Sequence, residues 1–282
     1  MAELYFHIGM PKTGTTFLQQ EVFPHIAGIR FVPPNRRLWE VAQEDDGRDI
    51  LVSDEALSGA PWRTVHGARR TWAENRTASI AGLAELCPHA NVLVCFRRHS
   101  EMILSLYKQY LHEGGTERFD GFFQLDGGAL LDAQDLTYRP VIEQIQRLFV
   151  GRKLVFDYQS VQSIDAFAPD LARFLRVERV PIPTQVKRHN VGIGARQGAL
   201  LRAINHASST DLNPGGRLPL RNRVFRRLGL DPRSVLQKRM NFLGHEPIHL
   251  ESALVQRLDD YFADDWAAVR TAIHEQTDDG PR

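Results

Sequence analysis

Eight residues near the start of the chain, Gly9-Met10-Pro11-Lys12-Thr13-Gly14-Thr15-Thr16, constrain its fold more than any other stretch. Before them stands Leu4-Tyr5-Phe6-His7-Ile8, an aromatic and β-branched run that reads as a buried strand. After them, Phe17, Leu18 and Val22 fall on one face of a helix. Strand, glycine-containing loop and helix together aim backbone N–H groups and a helix N-terminus at a phosphate. The threonine hydroxyls and the Lys12 ammonium add donors to the same cradle. Gly9 and Gly14 have the spacing of the Walker A loop, G-x-x-x-x-G-K-[ST], and Thr16 falls on its final hydroxyl. The lysine does not fit, because Thr15 stands where it belongs and Lys12 precedes the second glycine. A degenerate kinase loop and an ordinary strand-to-helix turn are the competing readings, and the octet as a whole points to phosphate.

A chain of 282 residues is long enough to bury a substantial core, and a net charge of +1 gives no global field of the kind that draws in nucleic acid. Cys87 and Cys95 offer neither a disulfide framework nor a metal-ligand set. No stretch approaches the ~20 apolar residues that span a bilayer. No basic segment precedes an apolar one at the start, so a cytoplasmic location is expected and the glycosylation pattern Asn75-Arg76-Thr77 carries no weight.

Further strands are expected at residues 31–32, 50–53, 91–96 and 154–158, with helices near 66–87, 102–111, 138–148, 161–175 and 193–207. A closing amphipathic helix is expected over 250–267 with Leu254, Leu258, Tyr261 and Phe262 inward, fraying after about residue 275. This alternation predicts an α/β fold, a parallel sheet flanked by helices on both faces. In such sheets ligands bind at the carboxyl ends of the strands. Two strands end in polar side chains there: one in Ser53-Asp54-Glu55, the other in Arg97-Arg98-His99-Ser100-Glu101. Glu55 is open to two readings, a carboxylate favoured by a helix N-terminus or a general base. Arg97 supplies a guanidinium fork suited to phosphate oxygens. The arginines between 217 and 227 fit an anionic lipid surface, an acidic glycan or a solvated helix face.

Pro-Lys-Thr-Gly-Thr-Thr after a strand, the Ser-x-Glu at Ser53 to Glu55, and the Arg97 to Ser105 spacing resemble the P-loop sulfotransferases that use 3′-phosphoadenosine 5′-phosphosulfate (PAPS), in their bacterial and heparan-type branch. The resemblance runs with gaps from residue 4 to about residue 192. It implies a single P-loop-type domain over 1–282, with a core of about 1–206 and a C-terminal helical extension of about 207–282 as its cover. It implies that Pro11, Lys12, Thr13, Gly14, Thr15 and Thr16 hold the 5′-phosphosulfate, and that Arg97 and Ser105 hold the 3′-phosphate. Glu101 also stands where the family commonly has Glu. Glu55 would be the base, with His7, His66 and His99 as alternatives. A late basic loop containing Arg188 and Asn190 would fold over the nucleotide, and residues 112–137 would lie over the acceptor site. The implied reaction moves a sulfuryl group to a glycan, glycolipid or small-molecule alcohol, releases adenosine 3′,5′-bisphosphate and requires no metal. Departures from the family pattern are Arg98 for Asp, His99-Ser100 for Pro-x, Gln159 for Glu, and the missing Arg-Lys-Gly triplet. Two other functions compete: a small-molecule kinase using Asp54 for Mg²⁺, and a nucleotide-binding protein without catalysis.

Overall fold

The computed structural model of the chain describes residues 2–34, 47–59, 61, 71–183, 194–210, 212–218 and 246–278. Strands β1 (Leu4–Ile8), β2 (Ile29–Val32), β3 (Asp49–Asp54), β4 (Asn91–Phe96) and β5 (Lys153–Asp157) form one sheet, ordered β2-β3-β1-β4-β5. Every pairing in it is parallel. The first helical stretch opens as α1 (Thr15–Phe17), continues as a π-helical turn over Leu18–Val22, and ends in a 3₁₀ turn over Phe23–His25. Helix α2 (Trp72–Leu86) leads into β4. Helices α3 (His99–Glu113), α4 (Phe119–Phe122), α5 (Ala133–Leu136) and α6 (Arg139–Leu148) separate β4 from β5. After β5 come α7 (Tyr158–Gln162), α8 (Ile164–Leu175), α9 (Ala195–Ala207), α10 (Ser252–Tyr261) and α11 (Ala263–Asp278).

The chain divides into two compact units, one of Met1–His99, Ala133–His189 and Asp260–Arg282, the other of Ser100–Asp132 and Asn190–Asp259. The first contains the sheet. On one sheet face Tyr5, Leu51, Leu93, Cys95 and Phe156 pack with Phe23, Phe167, Leu171 and Leu175. The alternate residues Phe6, Ile8, Val92, Val94 and Phe96 are buried as well, so both faces are covered. This explains why β4 reads as an unbroken apolar run rather than an alternating one. In the second unit, Tyr110 and Phe122 pack with ring centres 5.1 Å apart. There Asn205 of α9 donates to the carbonyls of Leu111 and Gly115, at 2.8 Å each.

A charged cluster closes the amino edge of the sheet. The Glu3 carboxylate accepts from Tyr5 Oη at 2.8 Å, Asn91 Nδ2 at 3.0 Å and Arg176 Nη1 at 2.8 Å, and it also pairs with Arg152. Partial burial works to raise its pKa, but these partners together hold it below the usual carboxylate value.

A second carboxylate, Asp265, ties the last helix into the same unit. It accepts from the backbone N–H groups of Tyr138 at 2.8 Å and Arg139 at 2.9 Å, where α6 begins. It also lies 2.9 Å from His99 Nε2, and the His99 ring stacks on Phe262 with centres 4.1 Å apart. Burial pushes the Asp265 carboxyl up, and the hydrogen bonds from His99, Arg139 and Tyr138 outweigh it to lower the pKa overall. A depressed folded-state pKa gives stability that is present above the unfolded pKa and is lost as pH falls through the folded one. Asp265→Ala is therefore expected to cost about 2–3 kcal/mol at neutral pH, because two buried donors and one partly buried donor lose an ionised acceptor. Chemical denaturation of both proteins against pH checks this. The difference between them should shrink below the ordinary carboxylate range, and a difference constant down to pH 2 would contradict the assignment.

The structure corrects several expected boundaries. The helix expected over 161–175 is two helices separated at Ser163, whose φ of −110° and ψ of 53° are not helical, and Asp157 caps the short α7 by accepting from Ser160 N–H at 2.9 Å. Tyr158 accordingly opens a helix instead of ending β5. The expected closing helix is also two, broken at Phe262, whose ring is drawn in against His99. Tyr261, expected inward, is 56% exposed. Helix α11 continues to Asp278, past the expected fraying point. Among the described residues, no helix is long and apolar enough to cross a membrane.

Candidate functional site

The strand order puts β1 in the centre of the sheet, with β3 on one side and β4 on the other. The chain leaves β1 toward β2 and β3 and later returns to β4, so the carboxyl ends of β1 and β4 flank the topological switch point. Ligands of open α/β sheets bind there. The octet follows β1 and Arg97 follows β4, so both phosphate-suited elements stand at that edge.

Within the loop, Lys12 has φ 63° and Gly14 has φ 84°, both left-handed. For an L-residue that conformation costs roughly 1–2 kcal/mol, and Lys12 holds it because neighbouring elements fix the loop. Arg97 Nη1 donates to Lys12 O at 3.1 Å. The buried Cys95 thiol of β4 lies 3.5 Å from Thr13 O. From the other side, Ser58 Oγ donates to Gly9 O at 3.0 Å, and Trp72 Nε1 donates to Ser58 O at 3.0 Å.

The helix beyond the loop makes its first described backbone bond from Leu18 N–H to Gly14 O, at 3.2 Å. The N–H groups of Thr15, Thr16 and Phe17 precede that bond, and such groups at a helix start call for outside acceptors. Thr15 is buried, and its hydroxyl has no hydrogen-bond partner among the described residues. Thr13 differs from its expected role. Its hydroxyl donates to Met10 O at 2.6 Å, so only its backbone N–H remains for an anion.

Glu55 is half-buried and opens the 3₁₀ turn Glu55–Ser58 after β3. A Cβ built on Gly9 would stand 3.3 Å from Glu55 Cγ, so the carboxylate side chain packs beside the loop. Asp54 caps that turn, accepting from Ala56 N–H at 2.8 Å. Of the alternative bases, His7 is fully buried within the sheet, with Nδ1 2.7 Å from Ser53 Oγ. Burial lowers its pKa to about 3, so it is neutral at physiological pH. His99 is buried against Asp265 and the rings of Phe262 and Tyr138. Ser105 is half-buried on α3, in the second compact unit. Arg188, Asn190 and His66 lie outside the described residues, as does the basic segment beyond Leu218.

Two tyrosines that sequence reasoning gave no role complete the site. The Arg97 guanidinium carbon sits 4.3 Å from the centre of the Tyr158 ring. The Tyr138 hydroxyl donates to Arg97 O at 2.9 Å. The rule that strand ends face the ligand edge would have found Tyr158, which directly follows β5. Nothing local marks Tyr138.

No protein-family model matches the chain, and no curated protein sequence does. Among solved structures it is similar to a sulfotransferase from Alicyclobacillus acidocaldarius, with 13% identity and a TM-score of 0.44. That match covers 77% of this chain and 98% of the other.

Proposed function

We propose that this chain is a PAPS-dependent sulfotransferase acting on an acceptor alcohol. The observation that carries the reading is the pairing of Lys12 and Arg97 at the switch point, where Arg97 Nη1 holds the carbonyl of the left-handed Lys12. A loop with a buried, unpartnered Thr15 hydroxyl beside a helix start suits an anion's oxygens. PAPS, when bound, supplies an activated sulfuryl group whose leaving group is adenosine 3′,5′-bisphosphate.

Every other task falls to the protein. The backbone N–H groups of Thr13, Gly14, Thr15 and Thr16 orient the phosphosulfate, and Pro11, fully buried, shapes the turn that presents them. Lys12 stabilises the charge that develops on the leaving oxygen. Arg97 takes the 3′-phosphate, with Ser105, Arg188 and Asn190 as further proposed contacts of the nucleotide. Glu55 accepts the acceptor's proton, a role typically worth ~100- to 10,000-fold in rate. The reading includes a single cytoplasmic domain whose acceptor is a glycan, glycolipid or small-molecule alcohol. A kinase would need a lysine where Thr15 stands and a magnesium-binding carboxylate where Asp54 already caps a turn.

Calorimetric titration with adenosine 3′,5′-bisphosphate, adenosine 5′-phosphate and Mg·ATP tests the reading. The bisphosphate should bind with clear preference, and Arg97→Ala should remove that preference. Tight Mg·ATP binding without it would overturn the sulfotransferase assignment.

A further inference from the structure

Arg97 is held at both ends. Its guanidinium reaches Lys12 O and lies over Tyr158, while its own carbonyl accepts from Tyr138 Oη at 2.9 Å. Tyr138 has no solvent exposure. Its ring packs on Phe96, with centres 4.7 Å apart, and on His99, 4.3 Å apart. Its backbone N–H is bound by Asp265. A buried phenol could have been a phenylalanine at no loss of packing, so the hydroxyl needs a reason, and its one described hydrogen bond ends on Arg97.

We infer that Tyr138 is a positioning residue of the nucleotide site, whose hydroxyl fixes the backbone of Arg97 and thereby aims the guanidinium that reads the 3′-phosphate. This rests on the sulfotransferase reading and adds a residue to it. The line of contacts runs from Asp265 in α11 through Tyr138 and Arg97 to the carbonyl of Lys12. With the hydroxyl gone, the Arg97 carbonyl loses this hydrogen bond, and the side chain loses one of the fixed points that order it. A ligand lacking the 3′-phosphate depends on that order only through the hold of Arg97 on the Lys12 carbonyl.

The test is Tyr138→Phe, which keeps the ring and removes the hydroxyl. Binding of adenosine 3′,5′-bisphosphate and of adenosine 5′-phosphate is measured by calorimetry, with thermal melting alongside. The bisphosphate should bind about ten-fold more weakly, the size expected for one hydrogen bond, while the monophosphate should lose clearly less. A residue acting through Arg97 must also lose its effect when Arg97 is absent, so Tyr138→Phe should change nothing further in an Arg97→Ala background. A variant that binds both ligands like the wild type, or weakens both equally, overturns the positioning role. So does a full additional loss in the Arg97→Ala background, which would mark a general effect on folding. If the wild-type protein itself shows no preference for the bisphosphate, the sulfotransferase reading is what fails.

Discussion

Gly14→Val is expected to destabilise the protein by about 3 kcal/mol or more and, under the proposed function, to abolish nucleotide binding. Two independent costs combine at this position. Gly14 has φ 84°, a conformation that a β-branched residue scarcely adopts. A Cβ there would also lie 2.7 Å from Val161 Cγ1 and 3.4 Å from Tyr158 Cε2. Tyr158 is the ring beneath Arg97, so relieving the clash would displace the arginine as well as the loop. Gly28 is the control. It has a similar φ of 81° but no described residue within 4 Å of a built Cβ, so Gly28→Ala should show only the backbone cost, roughly 1–2 kcal/mol. Thermal melting and bisphosphate titration of both variants check the contrast. A Gly14→Val protein that melts like the wild type would mean that the loop is not held as described.

Under the proposed sulfotransferase function, Lys12→Ala should lower turnover about 100- to 1,000-fold, a loss typical of removing one preorganised charge or donor from a transition state. Nucleotide affinity should fall far less, because most of the cradle consists of backbone N–H groups. Turnover is followed as release of adenosine 3′,5′-bisphosphate, and equal losses in affinity and rate would contradict the role. Alanine keeps the left-handed strain of Lys12 because it keeps a Cβ. Lys12→Gly should be as inactive yet melt at a higher temperature than Lys12→Ala, since glycine adopts φ 63° without steric cost. An ordering of melting temperatures opposite to this would show that the loop relaxes once the ammonium is gone.

What could be read in the sequence was what is encoded locally. The octet lies between a strand and a helix start, and its two glycines and lysine need no distant partner to be recognised. Strand β4 announces itself because burial on both faces leaves no polar position within Val92 to Phe96. The bond of the Thr13 hydroxyl was not legible, because a short hydroxyl side chain can turn back on its own chain, here to a carbonyl three residues earlier, in competition with any ligand. The contacts that steady the site were not legible. Tyr138 meets Arg97 across 41 residues of chain, and Asp265 meets His99 across 166. Such pairings are chosen by topology and carry no local pattern. The break at Phe262 has the same origin, since its position answers to the ring of His99 and not to the periodicity of its own helix.

The central place of β1 has a consequence for how the protein is made. Its partners β3 and β4 begin at Asp49 and Asn91, so both edges of this apolar strand stay unpaired until those segments leave the ribosome. At roughly 5–20 residues per second, the second edge waits on the order of 5–20 seconds, long enough for a bare strand edge to meet another chain. Holdase chaperones that grip short apolar stretches should therefore be found on nascent chains that end between β1 and β4, and should leave once β4 is translated. The strand on which the candidate loop is hung would then be the part of the molecule most in need of shelter while it is born.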